Sequence, residues 1–461
     1  MLKTDMNLKK LFSIQTGKSI GQCRIVPVKN SAYKKKTFLA AYSADFDIDP
    51  YVEMFFFPKD ELHLMLFDED GTIFWKKNLG EGIIPGVWFC PVLAFDLDND
   101  GTDEIWYVGN SNPSHPLGIS GYTLECLNGK DGRFIRRIPW SYTKDTYNQN
   151  LGGQFRNFIV GGYVRGSPRL ITAQGTYGDM SFQCYGENLE LKWEHLVKAG
   201  DPGARGSHMC PVIDINNDDV DELLWGERCI SFEDGRELFC ADKDSYQGHS
   251  DIIAPVFSQK TKDWKLFTCR ETDPAASPRI CMYTDKGKRL WGHEDEGHID
   301  LGWAARLGPD RQHYVMGIKI GHKFCGPDGR FHDKYWEYVF DAESGNKVDL
   351  GFSVYKTLPV DLNGDGYHEI VQGLPAAEGN VFDSKGKYAG SIGGSVALSG
   401  KLINKDGEQM IVYSPFGSIS LWYDENAHDC DGALTRYSNP FYQKALSVSG
   451  NGYNWCILGG I

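Results

Sequence analysis

Three histidines recur just before apolar segments, at intervals of about one structural repeat. His208 lies in GSHM, His249 in GHSD and His298 in GHID, so successive histidines are 41 and 49 residues apart. Imidazole exchanges protons near neutral pH, and several imidazoles together can bind a metal ion. Each histidine could instead satisfy only its own repeat by bonding to a nearby aspartate or to backbone. Recurrence at three equivalent positions favours a shared site.

Four arginines lie within or beside apolar segments. They are Arg156 in QFRNF, Arg228 in WGERCI, Arg270 in TCRE and Arg306 in GWAAR. A buried guanidinium needs a carboxylate partner, which either the protein or a ligand can supply. Neighbours such as Glu227 and Glu271 can serve as protein partners. Arg156 has no acidic neighbour in the sequence, so it is the strongest candidate to bind a ligand carboxylate.

Several aromatic side chains could line a sugar cleft by stacking. The candidates are Trp88, Tyr177, Tyr246 and Trp303. Each of them could equally be an ordinary core residue, because large aromatic rings dominate protein interiors. His115, in NPSHPLG, is expected in a loop at the rim of such a cleft.

An acidic motif also recurs: DLDNDGTDEI from Asp96, DINNDDVDEL from Asp214 and DLNGDGYHEI from Asp361, with a looser copy, DFDIDPYVEM, from Asp45. Oxygen side chains at positions 1, 3 and 5, with a carboxylate at position 9, suit a Ca²⁺ ion. A structural calcium site is the preferred interpretation; hydrated turns without metal and a catalytic metal are the alternatives. The predicted ligands are Asp96, Asp98, Asp100, Glu104, Asp214, Asn216, Asp218, Glu222, Asp361, Asn363, Asp365 and Glu369.

A second repeat predicts the elements that position these residues. It consists of an apolar segment, a turn rich in Asp, Asn and Gly, and another apolar segment that often ends in Trp, which is typical of a β-hairpin. The copies cover residues 65–75, 125–135, 183–193, 229–239, 281–291, 338–348 and 380–390, with a degenerate eighth at 420–429. This spacing predicts an all-β fold, a β-propeller with eight blades of four antiparallel strands. Seven blades are the alternative if the last hairpin belongs to the closing blade, and an array of β-sandwiches is the structural competitor.

The whole chain, residues 1–461, is predicted to form a single propeller domain. There are 53 glycines, and no linker, low-complexity run or change of composition marks a boundary. A propeller must close its ring with its N- and C-terminal strands. The segment KSIGQCRIVPV is expected to pair with the segment around ALSVSG.

Composition restricts the partners. The net charge of −14 argues against nucleic acid or an anionic membrane as the main partner. The sequence contains no run of 18 apolar residues and no signal-peptide core. Its 12 cysteines are scattered without a CxxC pair, which favours reduced thiols in a cytoplasmic protein. A secreted protein that has lost its leader would have the same pattern.

Parts of the sequence resemble the β-propeller polysaccharide lyases. The phrases GYVRGSPRLITAQ (162–174), ENLELKWEH (187–195) and LPVDLNGDGYHEI (358–370) are similar to that group, which includes rhamnogalacturonan lyases with eight blades, and ulvan lyases and rhamnose–glucuronate lyases with seven. The resemblance implies a lyase that cleaves a uronate-containing, rhamnose-linked oligo- or polysaccharide by β-elimination. An acidic saccharide is therefore the expected partner.

The resemblance also implies roles for the candidate residues. Removal of the C5 proton of a uronate requires neutralisation of its carboxylate, followed by proton transfer to a base. His208 and His249 would form the acid/base pair, and Arg156 and Arg270 would bind the carboxylate. The far wall of the site would consist of His298, Trp303 and Arg306, with Arg228 as a further binding residue.

Three other functions remain open at this stage. One is a glycoside hydrolase on the same scaffold, which would need paired carboxylates. Another is a propeller that binds a glycan or a protein without catalysis. The third is a metal enzyme in which the three histidines are ligands.

Overall fold

Eight antiparallel β-sheets form a ring in the computed structural model, which describes residues 5–142, 149–271, 273, 275–327, 329–375 and 377–461. The fold is an eight-bladed β-propeller, as the hairpin spacing predicts. Strand β1 (Leu8–Gln15) belongs to the last blade, and blade 1 begins with the second strand.

Blades 1 to 4 each contain four strands in chain order. Their strands are β2 (Gln22–Val28), β3 (Thr37–Ser43), β4 (His63–Asp68), β5 (Ile73–Asn78), β6 (Val92–Phe95), β7 (Glu104–Asn110), β8 (Tyr122–Asn128), β9 (Phe134–Pro139), β10 (Asn157–Val164), β11 (Ser167–Gln174), β12 (Met180–Tyr185), β13 (Leu191–Val197), β14 (Val212–Ile213), β15 (Glu222–Trp225), β16 (Arg228–Ser231) and β17 (Glu237–Cys240). A short helix, α1 (Leu151–Phe155), precedes blade 3.

Blade 6 departs from this regularity. It has three hydrogen-bonded strands and one bridge, between Phe340 and Lys347, at its outer edge, and it carries an additional hairpin, β24–β25. The strands of blades 5 to 8 are β18 (Ser250–Phe257), β19 (Trp264–Arg270), β20 (Ile280–Thr284), β21 (Arg289–His293), β22 (His298–Arg306), β23 (His313–Ile320), β24 (Lys323–Gly326), β25 (Gly329–His332), β26 (Tyr335–Asp341), β27 (Leu358–Val360), β28 (Glu369–Val371), β29 (Asn380–Phe382), β30 (Tyr388–Ser391), β31 (Ser395–Gly400), β32 (Gln409–Tyr413) and β33 (Ser418–Asp424).

The predicted hairpins form the outer halves of the blades, and neighbouring blades interlock through them. Trp75, at the end of the hairpin in blade 1, packs on Gly132 in the turn of blade 2. Gly132 has φ +68°, and a Cβ atom added to it would lie 2.8 Å from the Trp75 indole. Trp193 and Gly235 repeat this contact between blades 3 and 4. The glycine in the turn and the terminal tryptophan are therefore two halves of one contact between blades.

The ring closes through strands other than those predicted. Strand β1 pairs with β33, so the first strand of the chain forms the outer edge of blade 8. The predicted partner KSIGQCRIVPV is instead the inner strand of blade 1, and ALSVSG is helical. The prediction of a degenerate hairpin at 420–429 is wrong. Strand β33 is followed by turns, and its outer neighbour in the sheet is β1, from the other end of the chain.

The final segment, residues 431–461, occupies the centre of the ring. It contains α2 (Asp431–Tyr437), α3 (Pro440–Ser447) and two 3-10 turns, Val448–Gly450 and Asn454–Gly460, which contact the inner strands. Backbone contact is close: a Cβ on Gly459 would lie 1.9 Å from the carbonyl oxygen of Ala304. No repeat or motif in the sequence predicted this central segment. Within the described ranges, the chain has no helix that is long and apolar enough to span a membrane.

Every inner strand runs in the same direction through the ring, because each blade starts at the centre. We define the top face as the face where the inner strands begin, and the bottom face as the face where they end. His298 begins β22 and Arg306 ends it, so these two candidates lie about 26 Å apart at a strand rise of about 3.3 Å per residue. The predicted histidines lie at the top face, and the three good acidic motifs follow inner strands at the bottom face.

Candidate active site

Two of the predicted histidines meet at the top face, together with an aspartate. His208 Nε2 and His249 Nε2 lie 3.3 Å apart. Asp251 Oδ1 lies 3.3 Å from the first nitrogen and 3.4 Å from the second. All three side chains are buried. We call this nearly equilateral group the His–His–Asp triad.

The third histidine extends this group. His298 Nε2 lies 3.3 Å from Asp251 Oδ2 and 3.2 Å from Glu271 Oε1. It also lies 3.2 Å from Asp300 Oδ1, which accepts a hydrogen bond from Lys323 Nζ at 2.7 Å. Burial would lower the pKa of His298, but hydrogen bonds to Asp251 and Asp300 and the charge of Glu271 raise it to about 10. Asp251 thus joins the triad to a charged histidine.

The pKa values of the two triad histidines are shifted in opposite directions. Burial and the Arg156 guanidinium hold the pKa of His208 well below its ordinary value. Burial acts in the same direction on His249, but Glu271, 2.7 Å from Nδ1, and Asp251 outweigh it and raise the pKa. Such opposite shifts are a pattern that separates a base from an acid.

Arg156 lies beside the triad, as predicted, and its protein partner is Asp49. Arg156 Nη2 donates to Asp49 Oδ1 at 3.0 Å, and Asp49 Oδ2 accepts from Trp88 Nε1 at 3.0 Å. The guanidinium carbon lies 4.8 Å from the Trp88 ring and 5.3 Å from the Tyr177 ring. Its buried Nε and Nη1 atoms have no partner among the described residues. Two donors of Arg156 therefore remain free for a ligand.

Tyr177 covers the triad from the solvent side. Its hydroxyl lies 3.1 Å from His249 Nε2 and 3.4 Å from Glu271 Oε2. The residue is 40% exposed and has φ +80°, a left-handed backbone that is unfavourable for a non-glycine residue. The Tyr177 hydroxyl is therefore a polar group through which the triad can contact a substrate.

The additional hairpin of blade 6 reaches across the top face. Arg330 Nη2 donates to Asp49 Oδ2 at 3.2 Å, and Nη1 donates to the Tyr453 hydroxyl at 2.7 Å. Tyr453 N donates to the backbone oxygen of His208 at 2.7 Å. The hairpin, the looser acidic motif and the central segment thus meet around the site.

Other predicted binding residues support the site rather than line it. Arg270 donates to Glu227, Asp242, Tyr283 and the Pro278 carbonyl, so each guanidinium nitrogen has a protein acceptor or partner. Tyr246 stacks on Arg270 and donates to the His249 backbone oxygen at 2.6 Å. The structure does not bring the Arg270 guanidinium to the triad.

Several further candidates lie away from the triad. Arg228 pairs with Glu237 and with backbone carbonyls. Trp303 is buried and donates to Thr357 Oγ1 at 3.2 Å. His115 is exposed in the loop between β7 and β8, where its backbone bonds locally. Arg306 lies at the bottom face, so its place in the far wall of the site is wrong.

The looser acidic motif has a different role from the three good copies. It follows β3 and lies at the top face, where Asp49 holds Arg156 and Arg330. Asp251 and Asp300 were visible as the last letters of GHSD and GHID, which is the signal that could have identified them. Lys323 and Arg330 carry no repeat signal, because their hairpin interrupts the blade pattern.

The three good acidic motifs form tight turns at the bottom face. Asp96 Oδ1 accepts from Asp100 N at 2.9 Å, and Asp96, Asp98 and Glu104 lie close enough to share one ion. Burial, followed by the charges of Asp98 and Asp96, raises the pKa of Glu104 to about 8.

The pKa of the glutamate at the same position is also raised in the other two motifs. Burial also raises the pKa of Glu222 to about 8, and that of Glu369 well above its ordinary value. In all three turns a bound cation would offset both the burial of the glutamate charge and its repulsion by the neighbouring carboxylates. Among the described residues the Asp96 motif has the donor set that fits Ca²⁺, and calcium in all three turns stays a prediction.

The triad fits a different kind of metal ion. A tetrahedral ion with bonds of about 2.0–2.1 Å separates its ligand atoms by about 3.3–3.4 Å. The three triad distances lie in that range. Two imidazoles and one carboxylate suit zinc or manganese better than calcium, which prefers oxygen ligands.

Comparison with known proteins agrees with the fold. The relatives and structural neighbours of the chain include rhamnogalacturonan lyases with a β-propeller fold. The chain is 25% identical over 272 residues to the rhamnogalacturonan exolyase YesX of Bacillus subtilis, which covers 52% of the chain and 43% of that protein. It is 23% identical over 364 residues to the endolyase YesW of the same organism, covering 66% of the chain and 58% of that protein.

Solved structures show the same architecture. The crystal structure of exotype rhamnogalacturonan lyase YesX has a TM-score of 0.72 at 17% identity, over 98% of this chain and 80% of that one. The rhamnogalacturonan lyase PL11 of Bacillus licheniformis also has 0.72 at 17% identity, over 96% and 80%. At this identity the likeness establishes the fold. The chain spans about half the length of the curated relatives it matches, and no protein-family model matches it.

Proposed function

We propose that this protein is a polysaccharide lyase that cleaves a rhamnogalacturonan-type, uronate-containing polymer by β-elimination at the top face of the ring. The observation that carries the proposal is the buried meeting of His208, His249 and Asp251 beside Arg156, whose Nε and Nη1 atoms are unpartnered within the described residues. Rhamnogalacturonan lyase relatives on the same scaffold support it.

In this proposal Arg156 binds the substrate carboxylate. Its two unpartnered nitrogens, Nε and Nη1, can each donate a hydrogen bond to a carboxylate oxygen of a ligand. Neutralising that charge makes the C5 proton of the uronate removable, because the electron pair left on C5 is then stabilised. Asp49 holds Arg156 in place through its third nitrogen, Nη2.

His208 and His249 transfer the protons. His208 is neutral and accepts the proton from C5, and the electron pair of that bond forms the C4–C5 double bond while the C4–O bond breaks. The leaving oxygen takes a proton from His249, whose Nε2 atom lies 3.1 Å from the Tyr177 hydroxyl. Glu271, 2.7 Å from Nδ1, raises the pKa of His249 and so favours its charged form.

A second role for the same residues is favoured by the spacing of the triad. His208, His249 and Asp251 would then hold a divalent metal, which supplies charge to polarise the substrate carboxylate when it is bound. Elemental analysis of the purified protein separates the two roles. Stoichiometric zinc or manganese, lost in His208→Ala, supports the metal centre, and a metal-free active enzyme supports the acid/base pair.

The reaction itself is tested with a panel of uronate-containing polysaccharides, followed by mass spectrometry. A lyase yields an unsaturated product that is lighter by one water than the hydrolysis product. A product at the hydrolysis mass would identify a glycoside hydrolase. No product from any polymer, with binding retained, would leave a glycan-binding propeller and overturn the proposal.

A further inference from the structure

Several buried nitrogen atoms at the bottom face have no hydrogen-bond partner among the residues that the structure describes. They are Nε of Arg306, Nε and Nη1 of Arg436, and Nε2 of His368. All three side chains are buried. Because buried polar groups in folded proteins are nearly always hydrogen-bonded, several unpartnered atoms in one place indicate a bound group. We call these three side chains the bottom donor cluster.

Each of these unpartnered nitrogens is a hydrogen-bond donor. The nitrogens of a guanidinium carry hydrogen and cannot accept. His368 Nδ1 accepts a hydrogen bond from Arg306 N at 2.8 Å, so the hydrogen of the imidazole lies on Nε2. The bottom donor cluster therefore lacks an acceptor, and a bound group there must supply one.

The members of the bottom donor cluster come from three parts of the fold and lie near one another. Arg306 ends the inner strand of blade 6, His368 directly precedes β28 of blade 7, and Arg436 belongs to α2 of the central segment. His368 N also donates to the backbone oxygen of Arg306 at 3.2 Å. Burial, followed by the charge of Arg436, lowers the pKa of both Arg306 and His368. The Arg436 guanidinium therefore lies close enough to act on both of the other members.

The two arginines of the cluster differ in their partners. Arg436 Nη2 pairs with Glu408 Oε1 at 2.7 Å, and Arg436 Nη1 lies 3.8 Å from Asp361 Oδ2. Within the described ranges no carboxylate forms an ion pair with Arg306, and the charge of Asp361 offsets only part of the effect of burial on its pKa. A buried guanidinium needs an anionic partner. One negative charge would balance Arg306, because Arg436 already has Glu408.

We propose that the bottom donor cluster binds one small monovalent inorganic anion, of which chloride is the example. A buried water molecule could accept hydrogen bonds from the same donors, but it would leave the charge of Arg306 unbalanced. A spherical anion can accept from two guanidinium groups and an imidazole in different directions. The bound anion would join blade 6, blade 7 and the central segment on the face opposite the candidate active site, so this proposal does not depend on the proposed function.

Crystals of the whole chain in sodium bromide test the site directly, because bromide replaces chloride and scatters X-rays anomalously near its absorption edge. We expect an anomalous peak within hydrogen-bonding distance of Arg306 Nε and His368 Nε2. A water molecule at this position, without an anomalous peak, would overturn the proposal. The test uses the unaltered chain, so it does not depend on the folding of any variant.

Thermal unfolding tests the anion in solution. The melting temperature is compared in sodium chloride and in sodium gluconate at equal ionic strength, since gluconate is too large for a buried site of three side chains. A ligand that binds only the native state stabilises it with the logarithm of its concentration. The melting temperature should therefore rise by about 1–2 °C for each tenfold increase in chloride above its dissociation constant, and gluconate should not reproduce this rise.

A variant of Arg306 assigns the rise to the cluster. Arg306→Met removes the unpaired charge and should abolish the chloride-dependent part of the melting temperature, whereas Arg165→Met, at an exposed position, should keep it. The same chloride dependence in Arg306→Met as in the parent would overturn the proposal. A bromide peak in the parent without any chloride-dependent rise would identify an adventitious ion only, and would overturn it as well.

Discussion

The two ends of the inner strands carry buried ionic clusters of similar composition but different surroundings. At the top face, carboxylates surround His249 and His298 and raise the pKa of both histidines. At the bottom face, burial and the charge of Arg306 lower the pKa of His313 to about 3, and His368 shifts in the same direction. Carboxylates at the top face therefore favour the charged form of two imidazoles, whereas burial at the bottom face favours the neutral form.

The two clusters also differ in how accessible they are to solvent. At the top face Tyr177, which contacts His249, is itself 40% exposed, and a cavity opens beside the cluster. At the bottom, α2 supplies Arg436, which pairs with Glu408 at 2.7 Å and lies 3.8 Å from Asp361. Similar residue types thus form a candidate active site at the open top face and a structural anchor at the bottom face, where a helix covers them.

The largest expected effect is on catalysis at the top face. His249→Ala should lower the rate of unsaturated-product formation by about 10²–10⁴-fold, because general acid–base groups contribute on that order. Ultraviolet absorbance of the product measures this rate. The matched control is His115→Ala, an exposed histidine on a loop, which should retain full activity. Full activity in His249→Ala would remove the triad from the reaction.

A substitution of Arg436 tests the structural role of the buried ionic cluster at the bottom face. Arg436→Met leaves Glu408 buried without its partner, which should reduce the free energy of unfolding by about 3–5 kcal/mol. Denaturant titration measures the change, and the folded fraction should keep its activity per molecule. Arg165→Met, which breaks an exposed pair with Glu233, should change stability little. An Arg436 variant as stable as the parent would show that the bottom cluster is no anchor.

Calcium should stabilise the bottom face in particular. At a hundredfold excess over its dissociation constant, bound calcium should add about 2.7 kcal/mol to the free energy of unfolding. Differential scanning calorimetry with calcium and with chelator measures the shift. Glu104→Gln should reduce the shift, and Glu81→Gln, at an exposed position, should not. A melting temperature that is insensitive to calcium would reject the metal in these turns.

The smallest expected effect concerns Tyr177. Tyr177→Phe removes the hydroxyl that contacts His249 and Glu271, and one hydrogen bond is worth about 1 kcal/mol, or about fivefold in rate. The effect should fall on kcat and leave KM nearly constant. Tyr51→Phe, on the same face, is the control. A loss as large as that of His249→Ala would instead make Tyr177 a principal proton-transfer group.

The sequence predicted the ring better than the site. Seven blades followed from the hairpins, in which a turn glycine packs on a tryptophan of the preceding blade at three places, whereas the eighth blade is completed by β1 and not by the hairpin predicted at 420–429. The convergence of His208, His249 and His298 followed from their equivalent positions. Arg306 was misplaced because a nine-residue strand separates it from the top face.

Other parts of the site depend on contacts that no local pattern contains. Asp49 and Arg330 are 281 residues apart, and they meet only because the ring closes and an irregular hairpin crosses it. Arg270 was assigned to the substrate because its protein acceptors, Glu227 and Asp242, come from the preceding blade. Membership of one repeat is visible in a sequence, whereas contact across the ring requires the three-dimensional arrangement.

Pairing of β1 with β33 has a consequence for biosynthesis. Seven blades can assemble as the chain leaves the ribosome, but Leu8–Gln15 has no partner until Ser418–Asp424 has been made. Until then a strand edge is open to association with other chains. Closing so large a loop also makes the final step slow in comparison with the folding of each hairpin. We expect nascent chains to depend on chaperones most strongly just before the eighth blade is completed.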